Sequence, residues 1–249
     1  MDDRKLNAWK LIGASVRGRS HALTNTRCQD VVRYESHNGV AIAAVSDGAG
    51  SAALAHLGAS IATETALETL RATIPERALT LNDVRDAFAA ARAAIVSDAD
   101  DRSRSTRDYA CTLLVVVADE GRTLVGQIGD GAIVGVPFEE ELKVIGWPQQ
   151  GDYANSTFFL CEETSEPVFV EEAPLEAFSM LSDGLQMVAL EYEHLRAHAP
   201  FFRPFFAALR DATMPLEELE QHLATYLETD PTLAERTDDD LSLLVAVRA

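Results

Sequence analysis

Five aspartates, Asp30, Asp47, Asp130, Asp183 and Asp239, lie where strand-like runs meet turns. Asp47, Asp130 and Asp183 are each followed directly by glycine, which lets a backbone carbonyl approach whatever the carboxylate holds. Carboxylates gathered at several strand ends repel one another, and burying them pushes protons onto some. A divalent cation removes that conflict. Oxygen-only donors suit Mg²⁺ or Mn²⁺, whereas zinc asks for histidine or cysteine. Two such ions sharing a carboxylate and a water would give a hydroxide at neutral pH, the nucleophile of two-metal phosphoester hydrolysis. Spacing alone leaves a second reading open, in which these are solvated turn acids.

The elements that must position these acids can be read from periodicity. Residues 40–45, Val-Ala-Ile-Ala-Ala-Val, form an apolar run that delivers Ser46-Asp47-Gly48-Ala49-Gly50-Ser51 at a strand end. Trp9–Val16 predicts a first strand, residues 17–27 a polar loop, and residues 28–35 a returning strand. His37-Asn38-Gly39 is a hairpin signal into the run before Asp47. Leu54, Leu57, Gly58, Ile61 and Thr65 share one helical face, and Val84, Phe88, Ala91 and Ile95 another, with residues 98–108 as a loop.

Strands are predicted over residues 109–118, 122–128, 132–137, 142–145, 157–160, 167–170 and 178–181, with 147–153 as an irregular flap. Residues 188–197, 201–210 and 216–227 read as helices, two of them entered through Pro200 and Pro215. A last strand, residues 241–247, follows Asp238-Asp239-Asp240. Strand runs separated by helix runs, with hairpin turns among them, indicate an α+β layered domain with mainly antiparallel sheets. No linker, repeat or low-complexity tract interrupts it, so one domain over residues 1–249, with a core from about 9 to 247, is the economical expectation.

Composition narrows the class. The chain carries 40 acidic against 21 basic residues, a formal charge of −19, which argues against nucleic acid or an anionic membrane surface as partner. The polar start leads into no apolar signal region, and no apolar run approaches a membrane span. Cys28, Cys111 and Cys161 are odd in number and unpaired in spacing, so they read as reduced thiols in a cytoplasmic protein. Cys28, next to Gln29-Asp30, retains a minor reading as a reactive thiol.

The order of the motifs carries more. Leu11-Ile12-Gly13-Ala14-Ser15, Gln29-Asp30, Val45-Ser46-Asp47-Gly48, Gly129-Asp130, Leu181-Ser182-Asp183-Gly184-Leu185 and Asp239-Asp240-Leu241-Ser242-Leu243 resemble, in order, the motifs of type 2C metal-dependent protein serine/threonine phosphatases. The resemblance spans nearly the whole chain, and residues 151–160 look like a bacterial branch of that family. It implies a four-layer αββα sandwich, two antiparallel sheets flanked by helix pairs, with metals at one edge. It implies a phosphoric monoester hydrolase acting on phospho-Ser/Thr through a metal-bridged hydroxide, with two Mg²⁺ or Mn²⁺ ions and room for a third. Carried over by residue, Asp47 would bridge two metals, the Gly48 carbonyl would bind one, and Asp183 and Asp239 would complete the other. Asp130 would hold the third ion, and Asp30 would act on the metal-bound waters. Asp240 is an alternative to Asp239, because three consecutive acids allow a slip of one; Ser242 fits the register that chooses Asp239.

Two positions depart from the family pattern. Ala49 stands where the family has a histidine near the leaving group, and Asn25 where it has a phosphate-binding arginine. His21 and Arg17, and less so Arg19 and Arg27, lie in the same loop and could supply the missing proton or positive charge, the alternative being ordinary exposed loop residues. The expected partners are a phosphorylated protein substrate and a cognate kinase, the chain itself acting as a monomer. Two other readings follow from the same residues: a catalytically weak phosphatase-like domain that binds a phosphoprotein or regulates a kinase, and a small-molecule phosphoesterase. The remaining histidines read as structural or solvated, and Phe201-Phe202-Arg203-Pro204-Phe205-Phe206 as core packing first and a docking patch second.

Overall fold

The computed structural model describes residues 8–74, 76–138, 140–149, 157–162 and 164–249. β1 (Trp9–Val16) leads through a short helix α1 (Arg19–Leu23) to the hairpin of β2 (Val31–His37) and β3 (Val40–Ser46). The long helices α2 (Ala55–Thr73) and α3 (Leu81–Asp101) come next. They precede β4 (Leu113–Ala118), β5 (Thr123–Ile128), β6 (Ala132–Pro137), β7 (Lys143–Gly146), β8 (Val168–Glu172) and β9 (Leu175–Leu181). A one-turn α4 (Gln186–Ala189) is followed by the two-residue strands β10 (Leu190–Glu191) and β11 (Arg196–Ala197). Helices α5 (Ala199–Arg210), α6 (Leu216–Thr229) and α7 (Pro231–Arg236) then return the chain to β12 (Leu241–Arg248).

Two five-stranded antiparallel sheets result, ordered β1-β12-β9-β6-β7 and β2-β3-β4-β5-β8. Side chains alternate along each strand, so an element apolar on both faces must be covered on both. Leu11, Phe178, Met180 and Leu244 of one sheet meet Ala43, Val45, Leu114 and Val116 of the other in the layer between them. The other face of β3 and β4 packs Ile42, Val115 and Val117 against Ala62, Leu70, Phe88 and Ile95 of α2 and α3. The other face of the first sheet packs Ile12, Val134 and Val245 against Phe202, Phe206 and Leu223 of α5 and α6. The expected four-layer αββα sandwich is the observed architecture.

The hairpin signal is met in full: Asn38 and Gly39 have φ of 51° and 81°, as a type I′ turn requires at both central positions. α2 packs unusually close to residue 109. A Cβ on Gly58 would stand 2.1 Å from the Tyr109 carbonyl oxygen. Gly58→Ala, which would gain about 1 kcal/mol in an open helix, is therefore expected to cost about 1–3 kcal/mol, read from the urea unfolding midpoint. A stabilised variant would contradict this packing.

The structure corrects several element expectations. Residues 17–27 are not all loop but contain α1. β2 starts at Val31, not Cys28, because the Gln29 amide is taken by a side chain from the far end of the chain. α3 runs to Asp101, past the expected stop at 98, with the Asp98 carboxylate accepting from Arg102 Nε and the Tyr109 hydroxyl. Residues 157–160 form no strand; Leu160 N instead donates to the Cys111 carbonyl.

The expected helix over 188–197 breaks into α4, β10 and β11, with Leu195 in the left-handed region at φ 48°. α7 was not anticipated, although Asp230 caps it through the amides of Thr232 and Leu233 and Pro231 opens it. Phe202 and Phe206 are buried against the sheet and Phe205 packs edge-on to Tyr226, the core reading of that cluster. Of the expected flap, residues 150–153 lie outside the described residues, as do 151–156 of the branch signature. No helix among the described residues is long and apolar enough to cross a membrane.

Candidate metal centre

Asp47 leaves the end of β3 along a rail formed by residues 110–112. Asp47 N donates to Thr112 Oγ1 at 2.9 Å, and Thr112 N donates to the Asp47 carbonyl at 2.8 Å. Gly48 bridges Cys111, and Ala49 N donates to the Ala110 carbonyl at 2.9 Å. A Cβ on Gly48 would lie 2.7–2.9 Å from Ala55, so glycine is what lets this segment pass under the start of α2.

Asp130 sits in the turn between β5 and β6. Gly129 there has φ +107°, and a Cβ would meet the Thr112 side chain at 2.4 Å. Two glutamines hold the turn's carbonyls: buried Gln127 Nε2 donates to Gly131 at 3.0 Å, and also to Trp147 beyond β7 at 2.9 Å, and Gln186 Nε2 donates to Asp130 at 2.5 Å. Asp183 opens a single 3-10 turn at the end of β9.

These three elements bring carboxylate oxygens of Asp47, Asp130 and Asp183 within 4.8 Å of one another, each residue half-buried. Asp30, only 4% exposed, lies behind them within reach of Asp47 and Ser242, its Oδ2 accepting from Ser182 Oγ at 2.6 Å. Its other oxygen is buried without an aligned partner. Asp239 is exposed and outside the tightest group, but its charge bears on Asp47, Asp130 and Asp183.

The electrostatics follow from this crowding. Burial, then Asp30 and Asp183, holds the Asp47 carboxyl well above the usual range. Burial, then Asp130 and Asp239, pushes Asp183 up to about 7. Burial pushes Asp30 up to about 6 against the opposing Ser182 hydrogen bond, and burial also raises Asp130. Half-buried carboxylates this close, with an orphaned buried oxygen behind them, are the donor set that a hard divalent cation would neutralise. The residues present therefore fit Mg²⁺ or Mn²⁺.

The loop residues fall into different places. Asp240 is 2% exposed, its oxygens are taken by Gly18 N and Gln29 N with His21 beside them, and its charge bears on Asp30. Asp239 and Asp240 thus stand in different surroundings, one exposed and one buried. His21 Nδ1 lies 2.9 Å from Asp240 Oδ2, though off the line of a well-aligned hydrogen bond. Arg17 is exposed and reaches the Thr26 carbonyl at 3.4 Å.

Arg19 donates to the carbonyls of Ala234 and Thr237. Asn25 has φ 54°, a left-handed backbone that asparagine tolerates better than arginine does. The Cys28 thiol is pushed up by burial, then by Asp30 and Asp240, which disfavours a reactive thiolate. Thr112, Gln127 and Gln186 position the acids without having been singled out from sequence; only Ser182 and Ser242 lay inside a recognisable motif.

A family model described as Protein phosphatase 2C matches residues 17–228, a span that holds Asp30, Asp47, Gly48, Asp130 and Asp183 but stops before Asp239. Serine/threonine-protein phosphatase 3 of Escherichia coli (strain K12) is 31% identical over 252 residues, covering 97% of this chain and 99% of that protein. Among solved structures, the serine/threonine phosphatase PstP/Ppp of Mycobacterium tuberculosis superposes with a TM-score of 0.67 at 18% identity, over 96% of this chain and 98% of that one. A catalytic domain of PstP in complex with two manganese ions superposes with a TM-score of 0.64 at 17% identity, with the same coverage.

Proposed function

Because the chain belongs to the protein phosphatase 2C family, we propose that Asp47, Asp183, Asp239 and the Gly48 carbonyl hold its two divalent ions and that Asp130 serves a third. The chain is a metal-dependent phosphoprotein phosphatase, and its substrates are phosphorylated proteins. Bound Mg²⁺ or Mn²⁺ supplies Lewis-acid charge for the phosphoryl oxygens and lowers the pKa of water toward neutrality.

The chain's own residues do the rest. Asp30, clamped by Ser182 Oγ and raised to about 6, is mostly ionised at neutral pH but titrates close enough to it to take a proton at its free oxygen beside Asp47 and return it as chemistry proceeds. Arg17, tied only loosely to Thr26, supplies a guanidinium to orient phosphate. His21 supplies a second cationic group or a proton from the same loop. Thr112, Gln127 and Gln186 keep Asp47 and Asp130 on target.

The observation that carries this reading is the convergence of Asp47, Asp130 and Asp183 within 4.8 Å in front of buried Asp30. Purified protein is expected to release phosphate from an aryl phosphate and a phosphoserine peptide with Mn²⁺, to stop on chelation with EDTA, and to recover on Mn²⁺ addition. Undiminished turnover after chelation would overturn the assignment. Metal binding without turnover on any phosphopeptide would instead favour a phosphoprotein-binding relic, the reading that Asn25 and Ala49 motivate. We further propose that the chain works as one phosphatase-like unit, as a monomer in the cytoplasm, opposite a kinase of the same signalling module.

A further inference from the structure

We infer that Asp240 is a positioning residue, a buried carboxylate that sets His21 and Asp30 relative to the reaction centre and acts on turnover, not on metal binding. A carboxylate 2% exposed is costly to bury unless its oxygens are filled. Asp240 Oδ1 accepts from Gly18 N at 2.7 Å, and Oδ2 accepts from Gln29 N at 2.6 Å. Both are short, charge-assisted bonds. The donors stand at the two ends of the loop that carries His21, and Gln29 is the residue before Asp30. One side chain thus clamps both ends of the loop and the approach to Asp30. His21 Nδ1, 2.9 Å from Oδ2, adds a third partner from the middle of the loop.

The surrounding backbone is built around this contact. A Cβ on Gly18 would stand 2.3 Å from the Asp239 backbone, so the loop lies directly on residues 238–240. Ser20 fastens it there, its amide and hydroxyl donating to the Asp238 carbonyl at 2.9 and 2.8 Å. Asp239 and Asp240 therefore divide the work: the first lends charge to the acid group, the second holds the loop that carries His21. The inference rests on reading Asp47, Asp130 and Asp183 as the centre, and it is separable from that reading by experiment.

Asp240→Asn keeps the shape but offers one oxygen where two backbone donors need two, so the loop should shift while Asp47, Asp130, Asp183 and Asp239 remain. D240N is expected to bind Mn²⁺ in calorimetry as the wild type does, yet to lose about tenfold to a hundredfold in kcat on a phosphoserine peptide. H21Q should also lower kcat, and the double variant should fall no further than the worse single variant, because both remove one device. Wild-type kcat in folded D240N, or independent additive losses, would overturn the proposal; loss of Mn²⁺ binding in D240N would make Asp240 a ligand and overturn it as well.

Should D240N not fold, nitrogen-15 NMR of the wild type tests the pairing directly. His21 Nδ1 should carry a proton facing the carboxylate, and an imidazole protonated on Nε2 alone would refute it. If D47N instead kept full activity, the reading of the centre would fail whatever Asp240 does.

Discussion

Asp47→Asn is expected to abolish turnover and, at the same time, to make the metal-free protein more stable. Asp47 is the carboxyl whose charge is least welcome, raised first by burial and then by Asp30 and Asp183. Asparagine keeps the backbone bonds to Thr112, because these use the Asp47 amide and carbonyl and not the side chain. The substitution therefore removes repulsion without breaking the rail that holds the segment. A gain of about 1 kcal/mol would appear as a rise of about 2–4 °C in the melting temperature without metal. Turnover on a phosphoserine peptide with Mn²⁺ should fall by at least about 10²–10³-fold, the scale of losing a principal electrostatic group. Mn²⁺ should raise the melting temperature of the wild type and leave that of D47N nearly unchanged. A D47N protein that melts lower than the wild type without metal would show that Asp47 is a structural acid. One that turns over normally would show that the centre lies elsewhere.

Much of this centre was legible because its local grammar is short-range. Asp47, Asp130 and Asp183 each follow an apolar strand and precede glycine, features that put each carboxylate at a strand end; the fold then brings the three together. The layered fold was legible for the same reason, since β3, β4, β9 and β12 are apolar on both faces and demand cover on both. What escaped was set by partners far away in the chain. The surroundings of Asp240 are set by Gly18 and Gln29, more than 200 residues earlier, whose amides donate to its oxygens. The start of β2 at Val31 has the same cause. The expected helix over 188–197 failed because Gln186 and Tyr192 bond each other and brace the Asp130 turn, a tertiary demand that outweighs helical spacing. Thr112 could not be picked out, because a threonine entering a strand looks ordinary until its hydroxyl is seen beneath Asp47.

Raising the pH is expected to weaken the metal-free protein, and a divalent cation is expected to cancel that loss. Asp30 titrates near 6 and Asp183 near 7 in the folded chain, both above the ordinary value of 3.8, and Asp47 is raised as well. Between about pH 4 and pH 7 the folded state therefore binds more protons than the unfolded state, so linkage requires stability to fall as pH rises through that window. The stabilising effect of the shared protons is complete below the unfolded values and is lost above the folded ones. For shifts of this size the total loss is of the order of a few kcal/mol. The opposite slope is the usual one for acids paired with arginine, as at Asp83 with Arg77, whose lowered carboxyl favours the fold at neutral pH. Melting curves in EDTA from pH 4.5 to 8 should show the decline. Mg²⁺ or Mn²⁺ at about a hundred times its dissociation constant should restore about 2.7 kcal/mol at pH 7.5 and little at pH 4.5, where protons compete for the same oxygens. A metal-free protein whose stability rises steadily to pH 7.5 would mean that these carboxylates do not face one another.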